Sequence, residues 1–252
     1  AVAVCSFTSN FSKNIITKLL LMALAVVALV VYCYMGYMRG TAETIFAVFP
    51  LLAVAITPIL GNYVDHKGKA ASMLMIGSLL LIICHLSFAF ILPQFKGSQV
   101  GGVVVAYILI LVLGASFSLV PAALWPSVPK LVDEKIIGSA YALIFWIQNI
   151  GLWLFPLLIG KILDKTNPEI VARIADVKSQ TDLAVTNGLM SAEEASKLVT
   201  EVTEQAAVAY DYTWPLVMLA CLGIAALILG IVLKAVDKKK GLGLEQPNIV
   251  AE

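Results

Sequence analysis

The sequence predicts an all-α membrane protein, and two observations carry that prediction. Of the 252 residues, 60% are hydrophobic and only 13% carry a charge, which lies far outside the range of a soluble domain. The charges are also excluded from about six runs, each roughly the 20 residues that a helix needs to cross a bilayer. The runs are too long and too apolar for barrel strands, so each is expected to be an α-helix.

Six membrane-spanning helices follow in chain order, with short connections except before the last. They cover residues 18–38, 41–63, 71–92, 102–125, 138–160 and 213–236. Residues 39–41 make the tightest connection, whereas residues 93–102 end the third helix with a proline and contain three glycines before the fourth. Trp214 and Pro215 open the last helix, after tyrosines suited to the membrane interface.

The long polar segment before the last span, residues 166–211, predicts an extracytoplasmic helical hairpin. Asn167 followed by Pro168 is a typical helix start, and Ser191 with Glu194 has the pattern of a capping box. A lid over a substrate pathway competes here with a simple loop enlargement, which costs little stability. The domains are residues 1–165 with five spans, 166–211 as the insertion, 212–237 as the last span and 238–252 as a cytoplasmic tail.

Several classes of function find no support in the composition. The net charge is +1 and the lysines are scattered, so no nucleic acid partner is expected. The four cysteines lie far apart and no histidines cluster, so no metal, cofactor or disulfide framework is expected. The spans hold essentially no charged residue, which argues against a proton relay, and His85 is interpreted as a neutral, hydrogen-bonded histidine.

Polar neutral side chains in two spans predict a polar, aromatic cavity. Gln148 and Asn149 lie close to the middle of the fifth span, where their amides must find partners. At helical spacing, one stripe of the fifth span and one of the fourth could face each other. The competing interpretation is helix packing, since amides and small residues also join helices in lipid and a tryptophan anchors a helix end. The candidates for the cavity are Gln148, Asn149, Trp125, Tyr141, Ser118 and Tyr107.

Residues 61–69, Gly-Asn-Tyr-Val-Asp-His-Lys-Gly-Lys, form a charged loop between two spans and resemble a signature of the major facilitator superfamily, Gly-x-x-x-Asp-x-x-Gly-Lys/Arg. Residues 50–58, 122–126, 138–141 and 147–152 are similar to the C-terminal half of the branch that includes the lysosomal dipeptide transporter and its bacterial relatives. The resemblance covers roughly residues 49–160 and the last span with its lysine-rich end.

The resemblance implies that the six helices are the C-terminal half of a twelve-helix transporter. Asp65 is then expected to contact the N-terminus of the penultimate helix near Gly138, where unpaired amides favour a negative charge, and so to hold the cytoplasmic side closed. A loop that only marks the cytoplasmic side would explain its lysines but not Asp65 between glycines. The implied gate residues are Gly61, Asp65, Gly68, Lys69 and Gly138.

The predicted function is a secondary active or facilitative transporter, not an enzyme, that moves a small organic solute by rocker-switch alternating access. Short peptides are among the solutes that the resemblance permits. Gln148 and Asn149 would hydrogen-bond the solute, with Trp125 and Tyr141 nearer the cytoplasmic exit. The expected partners are the solute, the lipid bilayer and a missing N-terminal six-helix half, because the chain begins at Ala1 and resembles only one half.

The expected location is the inner membrane of a bacterium, with both termini in the cytoplasm. More of the positive charges beside the spans lie on the side that is predicted to be cytoplasmic. Arg173, Lys178 and Lys197 lie on the other side, but they belong to the long polar insertion, where charge contributes less to orientation.

One alternative to a transporter is a six-helix structural or channel-forming protein. The remote alternative is an intramembrane serine protease, whose nucleophile site residues 114–118 resemble, although a second glycine and a base histidine are missing.

Overall fold

The computed structural model describes residues 45–95 and 99–248, and their regular structure is helical. The long helices are α1 Val48–Lys67, α2 Ala70–Phe90, α3 Gln99–Leu131, α4 Ile137–Thr166, α5 Pro168–Thr186, α6 Ala192–Ala209 and α7 Thr213–Lys240. Short 3-10 turns at Leu92–Phe95 and Glu134–Ile136 follow α2 and precede α4. Within the described residues, α1, α2, α3, α4 and α7 are long and apolar enough to cross a membrane. The prediction of an all-α membrane protein is confirmed, and the first predicted span, residues 18–38, lies outside the described residues.

The helices extend beyond several predicted boundaries, which corrects the loop at residues 61–69. α1 continues to Lys67, so most of that segment forms its last turns and only Gly68 and Lys69 separate α1 from α2. α3 continues to Leu131 instead of ending at residue 125, although three prolines lie inside it. Proline is tolerated in membrane helices when other groups supply the missing donor. The charged residues Asp65 and Lys67 therefore lie in the last turns of α1 and not in a loop.

Close helix packing characterises the first of two compact units, which contains the described residues up to Ile144 and those from Val217 onward. A Cβ added at Gly114 of α3 would lie 2.9 Å from the Leu52 side chain of α1, and one at Gly223 of α7 would lie 2.7 Å from Ile82 of α2. Such contacts leave no room for a larger side chain. Small residues at the crossings let the helices approach closely, as is typical in membranes.

A helical hairpin dominates the second unit, Phe145–Leu216, because α5 and α6 pack against each other. The turn between them includes Gly188, which takes a φ of +70° that favours glycine. The Ser191 hydroxyl accepts a hydrogen bond from the Glu194 N–H at 3.3 Å, and the Glu194 carboxylate accepts one from the Ser191 N–H at 3.0 Å. The predicted capping box at the start of α6 is therefore confirmed.

The base of the hairpin is closed by Asn167 and Asp211. Asn167 stands before α5, with Pro168 as the first helical residue, as predicted. Its Oδ1 accepts a hydrogen bond of 2.8 Å from the Asp211 N–H, and its Nδ2 donates to the Asp211 carbonyl at 3.3 Å. The Asp211 carboxylate accepts from the Thr213 N–H at 2.9 Å and so caps the start of α7. The buried Asn167 amide thus joins the chain segment that enters the hairpin to the segment that leaves it.

Candidate functional site

The turn between α1 and α2 requires glycine at position 68. The Gly68 N–H donates to the Val64 carbonyl at 2.8 Å, and its φ of +73° is unfavourable for other residues. An added Cβ would lie 2.5 Å from the carbonyl carbon of Gln246 and 2.5 Å from the carbonyl oxygen of Glu245. Lys69 also has a positive φ, +64°, which for a non-glycine residue persists only when its surroundings enforce it. Both residues are shaped by the chain that lies on top of them.

That chain is residues 241–248, which we call the C-terminal segment. The carbonyls of Leu244 and Glu245 accept hydrogen bonds of 3.1 Å from the N–H groups of Ala70 and Lys69, respectively. The Glu245 carboxylate accepts from both the N–H and the hydroxyl of Ser72, each at 2.8 Å. The first N–H groups of a helix have no partner within it, and the positive end of its dipole favours an anion. The C-terminal segment therefore caps α2.

Asp65 is half-buried at the end of α1, and its side chain pairs with Asn248. The Asn248 amide Nδ2 donates to Asp65 Oδ1 at 2.8 Å, and the Asn248 N–H donates to the Asp65 carbonyl at 2.9 Å. Gly138 lies in the first turn of α4, and a Cβ added there, like one added at Gly61, would meet nothing within 4 Å. The contact between Asp65 and the N-terminus of α4 stays a prediction, while the bond to Asn248 is what the structure shows.

Two of the predicted cavity residues, Trp125 of α3 and Tyr141 of α4, lie together. Their ring centroids are 5.8 Å apart with an interplanar angle of 45°, and the Tyr141 hydroxyl donates to the Trp125 carbonyl at 3.0 Å. Both side chains are partly exposed. The two rings thus form a partly exposed aromatic surface, and the hydrogen bond to the Trp125 carbonyl fixes the orientation of the Tyr141 phenol.

Ser118 is completely buried, in contrast to the expectation that it lines a cavity. Its hydroxyl donates to the Gly114 carbonyl in the preceding turn at 2.7 Å and lies 3.5 Å from the Ala53 carbonyl of α1. This position favours the helix-packing interpretation for Ser118. Tyr107, nearer the start of α3, is partly exposed.

Gln148 and Asn149 are exposed on α4, a helix that has no buried residue anywhere along its described length. The Asn149 Nδ2 donates to the Phe145 carbonyl one turn earlier at 2.8 Å. A primary amide offers both donors and an acceptor, so the two neighbours can hydrogen-bond a solute that carries peptide-like groups.

The residues that sequence reasoning missed are Leu244, Glu245 and Asn248 of the C-terminal segment. The sequence does contain a signal for this segment. Gly241 and Gly243 follow the lysine-rich end of the last helix, which is typical of a helix stop, and the apolar Leu244 comes directly after them. Among residues 45–95 and 99–248, no group of three or more His, Cys, Asp or Glu side chains could hold a metal ion.

Comparison with known proteins relates about half of the chain to curated transporters. The chain is 30% identical over 129 residues to the lysosomal dipeptide transporter MFSD1 of Danio rerio, a match that covers 51% of this chain and 26% of the relative. Its identity to the proteins of the same name from Homo sapiens and Bos taurus is 30% and 31% over the same length, which is 25% of each relative. The match thus spans about a quarter of each relative's length. No protein-family profile and no solved structure matches the chain.

Proposed function

We propose, from the relationship of this chain to the transporters of the major facilitator superfamily, that it forms the C-terminal six-helix half of a solute transporter. The similarity over 129 residues to proteins named as dipeptide transporters carries this proposal. The transporter would be secondary active or facilitative and would not be an enzyme. Five long apolar helices within the described residues fit a multi-pass protein.

The proposed solute is a small organic molecule, with short peptides as the first class to test. Exposed amides within a spanning helix need a polar partner, because leaving them in hydrocarbon is costly. Gln148 and Asn149 meet that condition on α4, and a cavity shared with an N-terminal half would supply the partner. Trp125 and Tyr141 would pack nearer the cytoplasmic exit.

The proposed transport cycle is a rocker switch in which Asp65 helps to close the cytoplasmic side. The open space beside Gly138 and the positive end of the α4 dipole suit a carboxylate there. Gly61, Gly68 and Lys69 would shape the end of α1 and the turn that carries Asp65. In this topology both termini are cytoplasmic, the hairpin of α5 and α6 is extracytoplasmic, and the membrane is the inner membrane of a bacterium.

The test is uptake of labelled di- and tripeptides by proteoliposomes that contain the whole protein. The double variant Gln148→Ala, Asn149→Ala should lower uptake by about tenfold or more, since each lost hydrogen bond is worth roughly a fivefold to tenfold change. Ile150→Ala is the matched control, because this neighbour is 42% exposed on the same helix but has no polar group. Normal uptake by the double variant would reject the site, and passive ion flux without peptide uptake would favour the channel alternative.

A further inference from the structure

The C-terminal segment is folded back from α7 by its own sequence. The Gly241 N–H donates to the Asp237 carbonyl at 2.8 Å and ends α7 with a φ of +65°, and Gly243 follows with a φ of +77°. The buried Asp237 carboxylate then accepts from the Leu244 N–H at 3.0 Å, and the Leu244 side chain has no exposed surface. Apolar burial and a buried carboxylate together hold this return in place.

Lysines from α3 and from α7 itself bind the segment in the same position. Lys130 of α3 donates to the carbonyls of Gly243 and Gln246 at 2.9 Å and 2.7 Å. Lys234 of α7 donates to the Ser72 hydroxyl at 2.6 Å and lies 3.8 Å from the Glu245 carboxylate. With the capping of α2 and the bond to Asp65 in α1, the segment connects the ends of four helices.

The segment and the turn at Gly68 fit each other too closely for the docking to be incidental. The space that a Cβ at position 68 would need is filled by the backbone of Glu245 and Gln246. Asn248 binds Asp65 twice, once through the side-chain amide and once through the backbone. The same short segment therefore caps α2 and binds Asp65 of α1.

We propose that the C-terminal segment is an intrachain latch for the α1–α2 turn: docked, it engages Asp65 through Asn248, and released, it frees Asp65 for other partners. Its effect on transport rests on the proposed function, in which Asp65 contacts α4 when the cytoplasmic side closes. The latch biases a two-state equilibrium because only one of the two states retains its contacts. Release therefore increases the population in which Asp65 lies against the N-terminus of α4.

Docking is tested first, without reference to transport, by hydrogen exchange of the whole protein in nanodiscs. Asn248→Ala should accelerate exchange of the Lys69, Ala70 and Ser72 amides by about fivefold to tenfold, because one hydrogen bond to a carboxylate is lost. Leu244→Asp should abolish their protection. Gln246→Ala is the matched control, since this side chain is exposed and its residue contributes a backbone carbonyl. Unchanged exchange in both Asn248→Ala and Leu244→Asp overturns the latch.

The consequence is tested with Ser139→Cys in the first turn of α4, in a background whose native cysteines are replaced by serine. Truncation after Lys240 and Asn248→Ala should each lower the alkylation rate of that cysteine by about threefold or more and change the initial uptake rate. If both variants lose docking but label and transport as the parent does, the latch is refuted and the transporter stands. If the parent transports nothing while docking is intact and both variants alter labelling, the proposed function fails and the latch stands.

Discussion

The Tyr141 hydroxyl donates a hydrogen bond of 3.0 Å to the Trp125 carbonyl, and this bond replaces one that α3 cannot form. In a regular helix, the carbonyl of Trp125 would accept from the N–H of residue 129, but residue 129 is a proline and has no N–H. The phenol of α4 therefore supplies a donor at the position where α3 lacks one. This exchange explains how α3 continues past Trp125 and why the two aromatic rings meet.

Removal of the Tyr141 hydroxyl should weaken the contact between α3 and α4 without removing the packing of the two rings. Tyr141→Phe keeps the ring against Trp125 but loses the donor, so the free energy of unfolding should fall by about 1 kcal/mol. The midpoint of thermal unfolding in detergent should fall by about 2–4 °C. Tyr63→Phe is the control, because Tyr63 is 42% exposed on α1. Equal midpoints for Tyr141→Phe and the parent would show that another donor serves the carbonyl.

The two glycines that frame Asp65 should respond oppositely to alanine. Gly68→Ala imposes a positive φ on a residue with a Cβ and drives that atom into the backbone of residues 245 and 246, so stability should fall by about 1–3 kcal/mol. Gly61→Ala meets open space inside α1 and should be neutral or stabilising by up to about 1 kcal/mol. Thermal unfolding of both variants measures the difference. A loss of stability in Gly61→Ala that matches the loss in Gly68→Ala would contradict the close approach at Gly68.

Local patterns in the sequence were sufficient for the helices and the family resemblance, but long-range contacts were not predictable. α2 was predicted as residues 71–92 and is Ala70–Phe90. The agreement is close because the length of an apolar run is enough to locate a membrane-spanning helix. The capping box at Ser191 was predictable because its partners are three residues apart. Glu245 and Ser72 are separated by 173 positions, and no periodicity connects them. The hydrogen bond between Asp65 and Asn248 joins residues 183 positions apart and was likewise not predictable from local patterns.

The capping box of α6 should weaken in acid. The N–H and hydroxyl of Ser191 hold the pKa of Glu194 below its usual range, so the carboxylate stabilises the helix start above the ordinary glutamate pKa. That contribution is lost as pH falls through the lowered pKa of the folded state. Ser191→Ala should raise the pKa of Glu194 toward its ordinary value in a carbon-13 NMR titration of labelled glutamate. Thr200→Ala, which removes a hydroxyl bonded to the Ser196 carbonyl, should not move that titration.

Asn167 should stabilise the base of the hairpin in the second unit. Asn167 is 8% exposed, and its amide bonds to both the N–H and the carbonyl of Asp211. Asn167→Ala should therefore cost about 1–3 kcal/mol, because it removes two hydrogen bonds to the Asp211 backbone, each worth roughly 0.5–1.5 kcal/mol. Hydrogen exchange of the Asp211 and Thr213 amides measures the effect locally.

Asn167→Asp separates the two halves of that interaction. The carboxylate retains an acceptor for the Asp211 N–H but loses the Nδ2 donor and brings a second acid close to Asp211, so protection should be partly restored at low pH, where the carboxyl is protonated. Asn187→Ala, at the exposed end of α5, is the control and should leave exchange at Asp211 unchanged. Protection of Asp211 in Asn167→Ala equal to that of the parent would mean that the hairpin is closed by its helix packing and not by this amide.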